Sequence, residues 1–354
     1  MAASEQDTAL RAHLLAGQVI PAHPLALTAQ RTLDERRQRA LTRYYVDAGA
    51  GGIAVGVHTT QFAIRREEYA LYRPVLALAA DTVRMSRGES TTPFALVAGV
   101  IGDTRQAVAE AATAASLGYQ VALLGLGALP RATDEELIAH CQAVANVLPL
   151  FGFYLQPAVG GRVLSYRFWR AFAEIERAWA IKIAPFNRYQ TLDVVRAVAD
   201  AGRDDIALYT GNDDTIVTDL LTPFRVGTAT PGARHIVGGL LGQWAVWTRS
   251  AVRLLERVRA ARGGELASDW LRDAAALTDA NGAIFDAPHA FAGCIPGIHE
   301  VLRRQGLLTG VDCLDPRERL SPGQHEEITR VCRAYPELSD DAFVRENLDR
   351  WLAS

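Results

Sequence analysis

The stretch "AWAIKIAPFNRYQTLDVVRAVADAG" (residues 178–202) joins an apolar run to a helical pattern. Its first seven residues are apolar except for Lys182, as in a strand that is covered on both faces. The residues from Thr191 onward have the spacing of an amphipathic helix. The stretch therefore predicts one strand-plus-helix unit of an α/β protein.

The same unit recurs along the chain, starting near residue 19 and repeating at very roughly 30 residues, the spacing of a βα repeat. The apolar runs are "VIPAHPLAL", "GIAVGV", "FALVAGV", "QVALLGL", "LFGFYLQ", "AWAIKIA", "IALYTG" and "HIVGGLL". Eight such units predict a (β/α)₈ TIM barrel, with an open doubly wound sheet as the alternative. Beyond residue 263 the pattern is helical only. We therefore expect a barrel domain over 1–263, with a short N-terminal segment, and a C-terminal helical extension over 264–354 that packs on the barrel or on a neighbouring subunit.

The composition is that of a soluble globular protein, with 49% hydrophobic and 22% charged residues and a net charge of −3. There is no basic excess to attract nucleic acid or an anionic membrane, so a small molecule is the expected partner. The sequence has no long uncharged apolar window and no basic leader, which predicts a cytoplasmic protein. The four cysteines are scattered, which indicates neither a disulfide framework nor a zinc site, and no metal is expected.

In a barrel of this type the active site lies at the carboxyl ends of the strands. Polar residues follow four of the predicted strands, and we expect them to converge on one mouth. They are His58, Thr59, Thr60 and Gln61, then Tyr154 and Gln156, then Lys182, and finally Gly211, Asn212, Asp213 and Asp214.

Lys182 is the only lysine among 37 basic residues. Burial in the barrel is expected to lower the pKa of its ammonium, leaving free amine that can attack a carbonyl and form a Schiff base. Arginine cannot do this, so a composition committed to arginine would retain lysine only where amine chemistry is needed. The alternative is a lysine that is held by a carboxylate or binds an anionic ligand as a fixed cation.

Three further segments have a functional and a structural interpretation. Tyr154 lies on the preceding predicted strand, where its phenol could relay protons or simply pack in the core. The turn "GVHTTQF" (residues 56–62) could bind a carboxylate through its hydroxyls, its N–H groups and His58, or could only cap a turn. In "TGNDD" (210–214), Gly211 could let the backbone approach a ligand, and the aspartates could cap a helix. "IVGGLLG" (236–242) could let the backbone close on a phosphate.

Together these motifs resemble the dihydrodipicolinate synthase and N-acetylneuraminate lyase superfamily of class I aldolases. The resemblance rests on the threonine pair, "YLQP", "IKIAP" and "TGNDD", in that order and spacing. It implies a (β/α)₈ barrel, a Schiff base between Lys182 and pyruvate or another 2-oxo acid, a proton relay at Tyr154 and a carboxylate grip at Thr59 and Thr60. It also implies a homo-oligomer, a dimer or tetramer, and no cofactor.

The departures from the family pattern concern specificity. The motif GTTGE is replaced by "HTTQF", and the asparagine and arginine expected after the tyrosine are Leu155 and Val159. "GLGALP" (125–130) holds no tyrosine, and Arg162 lies three residues out of register for the lost arginine. The sequence therefore predicts a Schiff-base lyase or aldolase that acts on pyruvate or another 2-oxo acid. It predicts that the protein is not the synthase of lysine biosynthesis. The alternatives are an aldolase for a sugar phosphate and an inactive barrel that binds a carboxylate ligand.

Overall fold

The computed structural model describes residues 5–226 and 233–353. Over these residues the chain forms eight parallel strands in one sheet with helices between them, a (β/α)₈ barrel followed by further helices. The fold predicted from the repeated units is thus confirmed. The strands are β1 (Val19–Pro21), β2 (Gly52–Val55), β3 (Ala95–Val100), β4 (Val121–Leu124), β5 (Leu150–Leu155), β6 (Ala178–Ala184), β7 (Ala207–Thr210) and β8 (Ile236–Leu241).

The strands follow one another in the order β1-β8-β7-β6-β5-β4-β3-β2. A parallel bridge between Ala22 and Ala54, just beyond β1 and within β2, joins the two ends of this order. Almost every strand residue is buried, because side chains fill the barrel on one face and helices cover the other. This double burial is the physical origin of the continuous apolar runs.

The helices connect the strands and then form the C-terminal part of the chain. They are α1 (Glu5–Leu15), α2 (Glu35–Ala48), α3 (Tyr72–Arg87), α4 (Thr104–Ser116), α5 (Asp134–Ala145), α6 (Tyr166–Phe172), α7 (Arg188–Asp200), α8 (Ile216–Leu221), α9 (Thr248–Ala261), α10 (Asp269–Ile284), α11 (Cys294–Arg304), α12 (Gln324–Ala334) and α13 (Asp341–Leu352). None of the helices in 5–226 and 233–353 is long and apolar enough to cross a membrane.

By its contacts the chain divides into two compact units. The first comprises Met1–Gln18 and Thr92–Leu240. It contains β3 to β7 and most of β8, with α1 packed against β6 and β7. The hydroxyl of Tyr209 in β7 donates to the carbonyl oxygen of Leu14 in α1 at 2.8 Å, which fixes this helix on the sheet.

The second unit comprises Val19–Thr91 and Leu241–Ser354. Its last helix, α13, packs on α2, where the rings of Trp351 and Tyr44 lie 5.4 Å apart. The Tyr44 hydroxyl donates to the buried carboxylate of Asp340 at 2.7 Å and accepts the N–H of Thr248 at 2.7 Å. Burial raises the pKa of Asp340. These hydrogen bonds, and those from neighbouring groups, oppose that shift and stabilise the buried carboxylate. The C-terminal helices thus complete the packing around α2 and α9.

Candidate active site

Lys182 lies in the middle of β6, with its side chain on the same face as Phe153 of β5 and Tyr209 of β7. Lys182 is paired in register with both residues, and paired residues of a parallel sheet point to the same side. The lysine is 8% exposed, and its Nζ atom lies 4.5 Å from the centroid of the Phe153 ring. The amine of Lys182 is therefore buried and lies against the aromatic face of Phe153.

This face of β5, β6 and β7 is the barrel interior. Phe151 and Tyr209 contact each other edge to face, with ring centroids 5.1 Å apart. The opposite face of β5 packs on a helix, because a Cβ atom placed on Gly152 would lie 2.8 Å from the Phe172 ring of α6. The two faces of β5 can thus be told apart residue by residue.

Gly211 is brought together with Lys182, as the sequence predicted for one mouth. A Cβ atom at this position would lie 2.6 Å from Cε of Lys182 and 2.8 Å from Cβ of Ala184. Its backbone N–H donates to Ile183 at 2.7 Å, which keeps the backbone of residue 211 close to β6. The missing side chain gives space to the lysine, and not to a ligand as was predicted from the sequence.

Tyr154 is not brought together with Lys182. It is paired with Ile183 and lies on the helix face of β5, where its ring is 5.5 Å from that of Trp169 in α6. Its hydroxyl donates to the carbonyl oxygen of Leu164 at 3.1 Å and accepts the Leu164 N–H at 3.2 Å. Burial raises the pKa of this phenol. Tyr154 therefore does not lie beside Lys182 as expected. The β5 residue that lies beside the lysine is Phe153.

Thr59 and Thr60 form a short 3₁₀ turn with His58 directly after β2. The Thr59 hydroxyl donates to the carbonyl oxygen of Ala22 at 2.8 Å, and the Thr60 hydroxyl donates to that of His23 at 2.7 Å. The Thr60 oxygen also accepts backbone N–H groups of Gly56 and Val57, at 3.0 and 3.2 Å. We call residues 58–60 the threonine turn. Its hydroxyls fasten it to the segment that follows β1.

His58 lies at the edge of the threonine turn and is half-buried. Its ring meets that of Phe62 at 5.9 Å between centroids. Phe62 is one of the residues in which this motif departs from the family pattern, so the substitution gives the histidine an aromatic neighbour.

Asn212 braces the loops that follow β6 and β7. Its amide donates to Thr191 at 3.1 Å and to Asp219 at 2.9 Å, and its carbonyl oxygen accepts the N–H of Phe186 at 3.0 Å. Asp219 is fully buried, also accepts the Thr210 hydroxyl and pairs with Arg188. Burial raises the pKa of Asp219, and these donors oppose that shift. The side chain of Asn212 is therefore used within the protein, in contrast to its predicted contact with substrate.

The glycines of "IVGGLLG" are explained by packing. A Cβ atom on Gly238 would lie 2.5 Å from the backbone of Gln18 and 2.9 Å from the Tyr209 ring, and one on Gly242 would lie 3.2 Å from the Phe285 ring. Protein atoms therefore lie where a side chain would be at these two positions. The structure thus provides no support for the sugar-phosphate alternative at this strand.

Two residues beside Lys182, Phe153 and Tyr209, were not predicted from the sequence. Phe153 and Tyr209 were hidden inside apolar runs, where only the register of neighbouring strands shows which residues face Lys182. Gln61, which was expected at the mouth and departs from the family pattern, is 3% exposed and has a φ of 67°. Among residues 5–226 and 233–353, no group of three or more His, Cys, Asp or Glu side chains could hold a metal ion.

Comparison with known proteins agrees with the motifs. No protein-family model matches the chain. It is 27% identical over 231 residues to the 4-hydroxy-tetrahydrodipicolinate synthase of Cyanothece sp., covering 64% of this chain and 73% of that enzyme. In fold it is similar to YagE, a prophage protein of the dihydrodipicolinic acid synthase family from E. coli K12 in complex with pyruvate. The TM-score is 0.71 at 17% identity, over 91% of this chain and 98% of that one.

It is also similar in fold to N-acetylneuraminate lyase from Fusobacterium nucleatum, with a TM-score of 0.67 at 16% identity over 91% of this chain and 99% of that chain. In sequence the chain is thus similar to the 4-hydroxy-tetrahydrodipicolinate synthases, and in fold it is similar to solved members of the dihydrodipicolinate synthase and N-acetylneuraminate lyase superfamily. The resemblance predicted from the motifs is thus confirmed.

Arg162 lies three residues out of register for the arginine that the family pattern expects. Its guanidinium donates to the carbonyl oxygens of Leu129 and, at 3.1 Å, Ala132 in the loop after β4. A Cβ atom on Gly127 would lie 2.0 Å from the carbonyl oxygen of Gly160, so the two loops are in close contact. Arg162 therefore holds the loop after β4 against the loop after β5.

Proposed function

We propose that the protein is a class I lyase or aldolase in which Lys182 forms a Schiff base with a 2-oxo acid. The observation that carries the proposal is the position of the only lysine of the chain, which is buried on the interior face of β6 beside Phe153 and Gly211. Membership of the superfamily supports a lyase, and the bound pyruvate of YagE supports a 2-oxo acid as the donor.

The surroundings of Lys182 suit the two charge states of this chemistry. The free amine attacks the keto carbon to give a neutral carbinolamine, which takes up a proton from solvent and loses water, leaving a protonated imine that carries one positive charge. The electron-rich face of the Phe153 ring stabilises a cation at this distance by about 0.5–2 kcal/mol. It therefore favours the iminium, which activates the neighbouring carbon for bond making or breaking.

The threonine turn is the proposed grip for the carboxylate of the acid, a role that the family resemblance gives to Thr59 and Thr60. Successive N–H groups in a tight turn suit a carboxylate. His58, half-buried at the edge of the turn, is the proposed additional donor. The proton relay is not assigned to Tyr154, because its hydroxyl is bonded to Leu164 on the helix face of β5.

We infer that the substrate differs from that of the lysine-biosynthetic synthase. Leu155 and Val159 replace the polar residues of the synthases, and the guanidinium of Arg162 is used between two loops. The protein thus lacks the second-acid grip of that reaction. A homo-oligomer, a dimer or tetramer, remains a prediction that gel filtration with light scattering would test.

Borohydride trapping tests the proposal directly. Protein incubated with pyruvate or with members of a 2-oxo acid panel is reduced, digested and analysed by mass spectrometry. The expected result is an adduct on the peptide that carries Lys182. Because the chain has no other lysine, the α-amino group is the single competing amine, and peptide mapping separates the two.

Lys182→Arg is the matched control, since it keeps a cation but cannot form an imine at physiological pH. Loss of the adduct in this variant, with an unchanged circular dichroism spectrum, is expected. If no acid of the panel labels residue 182 of the wild-type protein, the Schiff-base proposal fails.

A second candidate is a barrel that binds a carboxylate ligand without turnover, and the position of Tyr154 favours it. A protein that kept the lysine and lost the phenolic relay could bind an acid and fail at the proton transfer of carbon–carbon chemistry. In that case Lys182→Arg should retain ligand-induced thermal stabilisation. The lyase proposal predicts instead that both turnover and covalent trapping are lost.

A further inference from the structure

Gln61, the residue that follows the threonine turn, has an unusual backbone conformation. Its φ is 67° and its ψ is 116°, and its N–H donates to the carbonyl oxygen of His58 at 2.9 Å. A positive φ favours glycine, and the family motif GTTGE has glycine at this place. A glutamine here requires surrounding contacts that hold it in this conformation.

Those contacts come from the segment 307–323, which connects α11 to α12. The N–H of Leu314 donates to Oε1 of Gln61 at 2.6 Å. The carbonyl oxygen of the same residue accepts the Tyr69 hydroxyl at 3.2 Å. Leu314 is 1% exposed, and its hydrogen bond to Gln61 is buried, whereas the one from Tyr69 is part-buried.

The hydrogen bond to Leu314 is what orients the Gln61 side chain. Within the described part of the chain, the Nε2 atom of Gln61 is buried and has no hydrogen-bond partner. The amide is therefore fixed through its oxygen alone. Removing the acceptor at constant volume would release this side chain without breaking a second hydrogen bond.

The segment 307–323 is itself firmly held. The N–H of Leu307 donates to Leu302 at 2.9 Å, and the hydroxyl of Ser321 donates to the buried carboxylate of Asp286. Between these two points, Asp312 forms an ion pair with Arg31 at 3.1 Å. Leu314 thus belongs to a segment anchored at both ends, which can support a strained neighbour.

We propose that segment 307–323 positions the threonine turn through Gln61, so that Gln61 is a positioning residue for the carboxylate of the 2-oxo acid. The turn is fastened on one side by Thr59 and Thr60 to the carbonyl groups after β1, and on the other side by Gln61 to Leu314. This inference rests on the proposed function, because it assumes that the turn holds the carboxylate. It gives the C-terminal part of the chain a role in substrate affinity.

The test compares three variants. Gln61→Met removes the acceptor at nearly equal volume, and Tyr69→Phe removes the other hydrogen bond to Leu314. Gln120→Met is the matched control, because Gln120 also accepts a backbone N–H, that of Leu96 at 2.8 Å, and lies ahead of β4 at the opposite end of the strands. Each variant is titrated with the 2-oxo acid that labels Lys182, using borohydride trapping and, where turnover exists, steady-state kinetics.

The expected result is a split between affinity and rate. Gln61→Met should raise the half-saturating acid concentration about tenfold with the maximal rate nearly unchanged, because only ground-state binding is weakened. Tyr69→Phe should act in the same direction to a smaller extent, and Gln120→Met should leave the half-saturating concentration unchanged. A purely structural role would lower the melting temperature of Gln61→Met and Gln120→Met alike and leave the half-saturating concentration unchanged in both, which would overturn the proposal.

Hydrogen exchange supplies a readout that does not depend on the acid. In Gln61→Met the amides of residues 56–66 should exchange faster together with those of residues 311–318. If only Tyr69→Phe folds, the same result is expected in that variant. Faster exchange confined to 311–318 would overturn the inference, since the turn would then be held without this segment. If the wild-type protein labels with no acid, the proposed function fails while the exchange experiment still decides whether the segment holds the turn.

Discussion

Gly211 shows how one missing side chain determines the course of the lysine. The side chain of Lys182 passes so close to residue 211 that any Cβ atom there would meet its Cε at 2.6 Å and the Cβ of Ala184 at 2.8 Å. Lys182 could bend away, but Ala184 belongs to the strand and cannot. Glycine is therefore required at residue 211 because the backbone passes close to Lys182 and Ala184, and not because its loop must be flexible.

Gly211→Ala is accordingly expected to displace the amine and to lower the rate of borohydride trapping by about tenfold or more, since small misplacements of reacting groups are costly. Gly282→Ala is the matched control. Gly282 lies within α10, and a Cβ atom there would have no neighbour within 4 Å. That variant should trap at the wild-type rate and gain up to about 1 kcal/mol of stability from helix propensity. Equal trapping by both variants would contradict the steric argument.

At the scale of elements, the fold was readable because local and tertiary preferences agree. Asp34, Asp103, Thr133 and Ser165 are residues that favour helix starts, and all four accept an N–H bond as N-caps. Helix α3 begins at Tyr72, after a second 3₁₀ turn (Phe62–Arg65). Helix α8 begins at Ile216, with Thr215 rather than an aspartate before it.

Helix α1 was not predicted, and α12 was predicted only as part of the helical extension as a whole, since their sequences contain many polar residues and few of their positions are buried. Their stability depends on tertiary contacts that a local pattern does not encode. The same limit applies to the site. The sequence located Lys182 on a buried strand. The spacing of residues along the chain cannot decide which face of β5 lies beside the lysine, because a shift of one residue in the pairing of β5 with β6 exchanges the two faces.

Tyr154→Phe tests that register. The structure predicts a loss of stability of about 1–3 kcal/mol, because the N–H and the carbonyl of Leu164 lose a buried partner. Trapping of the 2-oxo acid at Lys182 should remain close to the wild-type rate. Thermal melts and trapping on the same sample check both statements. A variant of normal stability that no longer turns over substrate would instead restore the relay role given by the family resemblance.

At the scale of the molecule, the divergence from the superfamily lies in the parts around the lysine and not in the barrel. The eight-stranded barrel is similar to that of the superfamily's solved structures, while Phe153 lies against the amine of Lys182 and Gln61 joins the threonine turn to the C-terminal part of the chain. Changes of this kind alter which acid is held without altering the order of strands. The substrate should therefore be sought by varying the acid and not the reaction type.

Two buried histidines should make the whole molecule sensitive to acid. Burial lowers the pKa of His23 and of His299 from 6.5 to about 4. His23 is held by Thr42, Gln38 and the carbonyl of Pro24, all uncharged, so its neutral form is the one that folds. Because the pKa in the folded state lies below that in the unfolded state, the unfolded chain binds more protons between pH 6.5 and pH 4. The stability due to each neutral histidine is complete above pH 6.5 and is lost as the pH falls through this window.

Between pH 7.5 and pH 5 the free energy of unfolding should fall by about 2 kcal/mol for each histidine. Urea titrations at several pH values measure this slope. His299→Leu should make the slope shallower by about half of the histidine contribution, whatever its effect on stability at pH 7.5, because it removes one of the two groups that must be neutral. Parallel curves for the variant and the wild-type protein would show that His299 is not the buried neutral group that its packing requires.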